Sequence, residues 1–176
     1  MSNYLTAIEV ARSLGFALDK PPERWLSGAP FEALDVRPGR VVLIGAPPGA
    51  GKTTLSLQLA TSVLERQPNL RCIVGNVETA PETLVEKLMA RYASVSLDGI
   101  MDRKLLSDER ARVEAAKERY AEVLGRIGIL SPPYTMPNLL AAMKAYDARL
   151  AVIDYAQRFT ADDGKDGRLK LDLLMS

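Results

Sequence analysis

The chain has 176 residues, 47% of them hydrophobic, and its 23 basic and 22 acidic side chains leave a formal net charge of +1. The absence of histidine excludes a histidine-ligated zinc site and a serine–histidine triad, and no apolar run approaches the roughly 18 residues of a membrane span. With no block of basic residues, the composition gives no support for strong nonspecific binding to a phosphate backbone, although a ring-shaped assembly can concentrate a few Lys and Arg side chains in its channel.

The first 30 residues are predicted to form a short helix and a linker, ahead of one domain that occupies residues 31–176. Over residues 4–16, apolar side chains recur at helical spacing, and Gly15 ends the pattern. Residues 19–30 are rich in proline and glycine, which is typical of a linker. Trp25 lies within this linker, and we expect its side chain to pack on the core of its own chain.

Residues 40–54 carry the most informative pattern in the chain. Residues 41–44 form a short apolar run, mostly β-branched, which predicts a strand buried on both faces of a parallel sheet. A loop of small residues follows, and then a Lys-Thr-Thr triplet opens a helix. The loop and the triplet consist of Ala46, Pro47, Pro48, Gly49, Ala50, Gly51, Lys52, Thr53 and Thr54.

This loop has the composition of a phosphate-binding loop. Small residues let backbone N–H groups approach phosphate oxygens closely, and the positive end of the following helix dipole adds to the attraction. Lys52 is placed to contact the β- and γ-phosphates, and the Thr53 hydroxyl is placed to ligate Mg²⁺. The pattern differs from G-x-x-x-x-G-K-[ST] only at its first position, where Ala46 follows Gly45. An ordinary turn is the alternative, and it does not explain why Lys52 and Thr53 follow the last glycine.

The remaining predicted elements alternate between helices and strands. Helices are predicted from the loop to near Pro68 and over residues 81–93, 107–124 and 138–148, and strands over residues 71–77, 127–130 and 150–153. The first helix is predicted to bury Leu55, Leu59, Ala60, Val63 and Leu64. Thr79 and Glu82 have the spacing of a capping box at the start of the second helix. The alternation predicts an α/β fold with a mainly parallel sheet, and residues 161–167 are predicted to form a polar loop.

Cys72 is the only cysteine of the chain, and it lies in an apolar run with Ile73 and Val74. We expect it to be a small buried hydrophobic side chain rather than a reactive thiol. A single cysteine cannot form an internal disulfide, which suits a reducing compartment, and we expect a cytoplasmic protein.

Two acidic residues follow predicted strands, at the edge of a parallel sheet where ligands bind. Asp154 directly follows an apolar run, which is the Walker B arrangement, and an acid there can hold Mg²⁺ next to Thr53. The alternative is an aspartate that only ends a strand. Glu78 follows the second predicted strand, where a carboxylate can orient or deprotonate the attacking water. From spacing alone, a helix-capping role for Glu78 is equally supported.

Three segments together resemble the RecA-like motor domain of DnaB-type replicative DNA helicases: residues 41–54, residues 76–79 with the helix after them, and residues 152–157. In that family the phosphate loop often begins with alanine and contains proline, as Ala46 and Pro48 do here. The family's catalytic glutamate, at the end of the second strand, corresponds to Glu78. Its D-Y-x-Q signature corresponds to Asp154, Tyr155 and Gln157. The resemblance covers residues 33–159.

The resemblance implies a RecA-like P-loop NTPase that binds ATP and Mg²⁺. In its intact form it would couple ATP hydrolysis to movement on single-stranded DNA as a hexameric homo-oligomer. Lys52 and the loop would hold the phosphates, Asp154 would help to hold Mg²⁺, and Glu78 would polarise water. Gln157 would couple the nucleotide state to the loops beyond it. The preference for ATP over GTP rests on the resemblance alone.

The chain also departs from this family, because it ends at Ser176, soon after the Asp154 motif. The family continues with further strands, DNA-facing loops and an arginine finger, which commonly supplies about 10³–10⁵-fold in rate. We therefore expect a C-terminally incomplete domain that is a poor ATPase by itself and exposes an apolar sheet edge. Two alternatives stay open. One is a nucleotide-binding regulatory or assembly module with little turnover, and the other is a RecA- or RadA-like repair ATPase, against which the D-Y-x-Q signature weighs.

Overall fold

The computed structural model of the chain describes residues 7–9 and 23–159. Of the helix predicted over residues 4–16, only residues 7–9 are described, and they are helical. The polar loop predicted over residues 161–167 lies outside the described residues.

The described sheet has three parallel strands in the order β2-β1-β3. Strand β1 spans Cys72–Asn76, β2 spans Ile127–Ile129 and β3 spans Leu150–Asp154. Every residue of the central strand β1 is buried, whereas β2 and β3 are half-buried. The register sets Cys72 opposite both Ile127 and Leu150 and sets Asn76 opposite Asp154. The predicted parallel sheet is thus confirmed for three of the four predicted strands.

Five α-helices and one 3₁₀ turn accompany these strands in the described part of the chain. They are α1 (Lys52–Arg66), α2 (Pro81–Ala93), α3 (Leu97–Met101), α4 (Ser107–Leu124), α5 (Met136–Tyr146) and the 3₁₀ turn Ala156–Arg158. The predicted bounds of α2 and α4 are confirmed. Helix α5 begins two residues earlier than predicted, because the Thr135 hydroxyl accepts a hydrogen bond from the Asn138 amide and caps it there. The sequence pattern did not predict α3.

The predicted capping box at α2 is wrong. The N-cap residue is Ala80, and no side chain caps the helix. The Thr79 amide is instead hydrogen-bonded to the Asn76 side chain, 2.6 Å away. This competing acceptor draws residue 79 into the turn after β1 and moves the helix start to the next residue.

Helix α1 packs its apolar face on the sheet, where Val63 and Leu64 are fully buried against Cys72 and Val74. Leu59 and Ala60 are also buried, as predicted. The prediction for Leu55 is wrong: this side chain is 42% exposed, because it lies in the first turn of α1 beside a solvent-exposed loop.

The linker segment that precedes the sheet is attached to the same core. Trp25 is 6% exposed and belongs to the α1 cluster, which confirms that it packs on its own chain. Arg149, at the amino end of β3, lies 5.4 Å from the Trp25 ring centre and bonds both Glu23 oxygens at 2.9 and 2.6 Å. These hydrogen bonds lower the pKa of the Glu23 carboxyl and raise the pKa of the Arg149 guanidinium.

Residues 41–44 do not form the predicted strand. They pair with neither edge of the sheet, and Val41 and Leu43 are 63% and 76% exposed. A strand buried on both faces needs backbone partners on both edges and side chains packed above and below it. The described residues surround this segment with neither, so its β propensity has no tertiary contacts to act on.

None of the helices in the described ranges combines the length and the apolar character that a membrane crossing requires.

We expect a Gly75→Ala substitution in β1 to lower the free energy of unfolding by about 1–3 kcal/mol, because the added Cβ would overlap the ring of Phe159, which is 2% exposed. Denaturant unfolding measures the effect. Gly45→Ala is the matched control, since a Cβ there meets no atom within 4 Å. Equal stabilities of the two variants would contradict this packing.

Cys72 should be unreactive in the folded protein. Burial raises the pKa of its thiol from 9.0 to about 12, so the thiolate fraction near pH 8 falls by about 1,000-fold. The same shift lowers the stability as pH rises from 9 towards 12, where only the unfolded chain releases the proton. An aromatic disulfide reagent should modify Cys72 only after unfolding in denaturant, and rapid modification of the native protein would disagree.

Candidate functional site

The carboxyl ends of β1 and β3 meet the amino end of α1. One carboxylate oxygen of Asp154, Oδ2, accepts hydrogen bonds from the Thr53 hydroxyl and from Asn76 Nδ2, the latter at 2.7 Å. Thr53 and Asp154 are 101 positions apart in the sequence. The structure thus brings together the two residues that the sequence predicts as Mg²⁺ ligands.

The loop before α1 is open to solvent from Ala46 to Gly51. Gly49 and Gly51 have φ angles of 77° and 88°, a left-handed backbone that a side chain would strain. Gly51 is the N-cap of α1, and no side chain caps this helix end. The first-turn N–H groups of α1 therefore have no side-chain acceptor, which is the condition under which a helix terminus binds an anion.

Lys52, the first residue of α1, turns its side chain back over the loop. Its Nζ donates hydrogen bonds to the carbonyl oxygens of Ala46 and Pro47, each at 2.9 Å. The ammonium group is thereby held at the mouth of the loop by acceptors that a phosphate group can replace. Thr54 follows in the same helical turn and is exposed.

Glu78 lies in the turn between β1 and α2, and its side chain is exposed. The turn is tied to Asp154 in two ways. The Val77 amide donates to the Asp154 carbonyl oxygen at 3.0 Å. The Glu78 amide donates at 2.9 Å to Asn76 Oδ1, whose carboxamide also bonds the Asp154 side chain. The two predicted acids therefore belong to one hydrogen-bonded unit.

Gln157 is exposed on the 3₁₀ turn that directly follows β3 and Tyr155. This turn is anchored below by Phe159, which is 2% exposed and packs with Tyr134 at a ring-centre distance of 6.0 Å. On the surface, Arg158 Nε donates to the Tyr155 hydroxyl at 3.0 Å. The segment that carries Gln157 is thus held at the same end of the sheet as Asp154.

Asn76 is a site residue that sequence reasoning missed. It lies in the segment that carries the family resemblance, but no role followed from the pattern. The available signal was a polar residue that ends an otherwise apolar, fully buried strand, because a buried carboxamide must find hydrogen-bond partners. It is 3% exposed, and its partners include the side chain of Asp154.

The residues present fit a Mg²⁺-nucleotide. A hydroxyl and a carboxylate, those of Thr53 and Asp154, are hard oxygen ligands of the kind that Mg²⁺ takes together with substrate phosphates. Within residues 7–9 and 23–159, no group of three or more His, Cys, Asp or Glu side chains could hold a metal ion. Phosphate oxygens are therefore needed to complete the coordination of a metal at this site.

Comparison with known proteins gives one family and one fold. The family model for the DnaB-like helicase C terminal domain matches residues 33–171. The chain is also similar to a solved helicase ATPase domain, with a TM-score of 0.71 and 16% sequence identity. This match covers 98% of the chain and 65% of the solved domain. The structural likeness confirms the predicted fold class, a RecA-like P-loop arrangement of a parallel sheet flanked by helices.

We expect Asp154→Ala to lower the free energy of unfolding by about 1–3 kcal/mol, because the buried Asn76 amide group would lose its acceptor. Asp154→Asn is the matched control, since it keeps a side-chain oxygen that can accept this hydrogen bond. Thermal or denaturant unfolding measures both variants. A destabilisation of the same size in both would indicate that the negative charge, and not the hydrogen bond, is responsible.

Proposed function

The chain belongs to the family of DnaB-like helicase C terminal domains, and from this membership we propose that it is the ATP-hydrolysing motor part of a DNA helicase that moves on single-stranded DNA. The resemblance found in the sequence is confirmed at the level of the family. The contact of Thr53 with Asp154, at the open end of the phosphate loop, carries the proposal. It joins a helix terminus suited to phosphate and a carboxylate suited to Mg²⁺.

In this proposal the phosphate loop holds ATP. The backbone N–H groups of residues 46–51 surround the phosphates, the Lys52 ammonium contacts the β- and γ-phosphates, and Thr54 lies in the same helical turn. Thr53 and Asp154 hold Mg²⁺, which when bound neutralises charge that develops on the phosphate oxygens. Lys52 has a local cause for its placement, because the loop carbonyls of Ala46 and Pro47 already hold its ammonium over the loop.

Glu78 is the residue we assign to the attacking water. Its carboxylate is exposed at the end of β1, in a turn whose backbone is bonded to Asp154 and Asn76. A carboxylate in this place orients the water and takes its proton as the water attacks the γ-phosphate. Gln157 follows β3 on the same end of the sheet, and we assign to it the coupling between nucleotide state and the residues beyond.

The proposal for the whole motor reaches further than the chain itself. The chain spans 65% of the solved helicase ATPase domain to which it is similar. Binding of single-stranded DNA, assembly into a hexameric ring and use of ATP over GTP are therefore part of the proposal. So is the division into a linker region, residues 1–30, and an ATPase domain, residues 31–176.

The test is ATP turnover with and without single-stranded DNA, together with a titration of Mg²⁺-nucleotide binding. Glu78→Gln should keep nucleotide binding and lose turnover by about 10²–10⁴-fold, because the amide cannot accept the water proton. Lys52→Ala should weaken the binding itself. Glu118→Gln on α4 and Lys144→Ala on α5 are matched controls, exposed and remote from the loop, and both should behave as wild type.

The outcomes separate the alternatives. Turnover that DNA stimulates and Glu78→Gln abolishes supports the motor. Tight binding without turnover in either protein supports a nucleotide-binding regulatory or assembly module. Absence of nucleotide binding would contradict the phosphate-loop assignment.

A further inference from the structure

The Asn76 side chain uses both ends of its carboxamide at the site. Its Nδ2 donates to Asp154 Oδ2 at 2.7 Å, and its Oδ1 accepts from the amides of Glu78 and Thr79 at 2.9 and 2.6 Å. The residue is 3% exposed. These three bonds join a carboxylate on β3 to the backbone of the turn after β1.

The planar carboxamide transmits position because its donor and acceptor are fixed relative to each other. A displacement of the Asp154 carboxylate therefore moves the acceptor that holds the Glu78 amide. Burial strengthens the link, since water is not present to replace any of the three hydrogen bonds and a broken one leaves a polar group unsatisfied.

We propose that Asn76 is a positioning residue that couples the Asp154 carboxylate to the turn carrying Glu78. The inference rests on the proposed function, because it assigns to this coupling the alignment of the Mg²⁺-binding acid with the water-orienting acid. Asn76 is buried beneath both residues and acts through them, without contact to substrate.

A local turn-capping role does not account for both ends of the side chain. The acceptor bonds to Glu78 and Thr79 form an Asx-type turn, which an aspartate also makes. Only the donor bond from Nδ2 reaches Asp154. Asn76→Asp keeps the shape and the turn acceptor and removes the donor, so it separates coupling from turn capping.

The experiment compares wild type, Asn76→Asp and a matched control, Asn138→Asp. Asn138 lies on α5 and donates through Nδ2 to the carbonyls of Ser131 and Pro133, so its variant loses the same kind of bond away from Asp154. The probe is a non-hydrolysable ATP analogue, titrated in EDTA and then with Mg²⁺. In Asn76→Asp the binding in EDTA should stay within about twofold of wild type, and the Mg²⁺ midpoint should rise by about 10–100-fold.

Amide hydrogen exchange gives a second readout that needs no turnover. Addition of Mg²⁺ to the analogue-bound wild type should change the exchange rates of the Glu78 and Thr79 amides. In Asn76→Asp these amides should remain protected by the turn but lose the response to Mg²⁺. For turnover, kcat should fall by about 10–100-fold with little change in the KM for ATP. Asn138→Asp should match wild type in every measurement.

Each contrary result has one meaning. A Mg²⁺ midpoint and an exchange response equal to wild type in Asn76→Asp would overturn the coupling and leave the proposed function intact. A wild type that binds no nucleotide would overturn the proposed function, and the coupling with it. If Asn76→Asp does not fold, Asn76→Ala, which adds no charge, must show the same Mg²⁺ shift and also lose protection of both amides. A normal Mg²⁺ midpoint in Asn76→Ala would overturn the coupling.

Discussion

Every contact at the site depends on the pairing of β1 with β3. The two strands run parallel with Cys72 opposite Leu150, and this register sets Asn76 opposite Asp154 at their carboxyl ends. Because side chains alternate between the faces of a sheet, a slip of one residue would turn the Asp154 side chain to the other face and remove it from Thr53 and Asn76. The apolar residues of β1 fix the register, since all of them are buried.

Helix α1 shows how one element combines a rigid and an open end. Its last two turns are buried against the sheet by Val63 and Leu64, which holds the helix axis in place. Its first turn, with Lys52 and Thr53, extends to an exposed loop with two left-handed glycines. The buried end therefore positions the hydroxyl and the ammonium, while the loop keeps the exposed N–H groups that an anion needs.

The linker is attached at the end of the sheet opposite to the site. Arg149 precedes β3 and binds Glu23 and the Trp25 ring, whereas Asp154 ends the same strand. The length of this strand, five residues, lies between the linker contact and the site. The contact that holds the N-terminal segment is thus separate from the groups that would bind nucleotide, and the strand connects them.

The sequence by itself determined the features that depend on local pattern. Helical periodicity gave the bounds of α2 and α4, apolar runs located β1, β2 and β3, and motif spacing identified Lys52, Thr53, Glu78 and Asp154 as candidates. Local patterns suffice for these because each depends on residues close together in the chain.

Only the tertiary structure decided what depends on distant partners. Residues 41–44 have the composition of a buried strand and yet pair with no strand, and Leu55 is exposed, because pairing and burial require neighbours that a local pattern cannot supply. The role of Asn76 was hidden for the same reason: its partner Asp154 is 78 positions away, and only the parallel register brings the two side chains into contact.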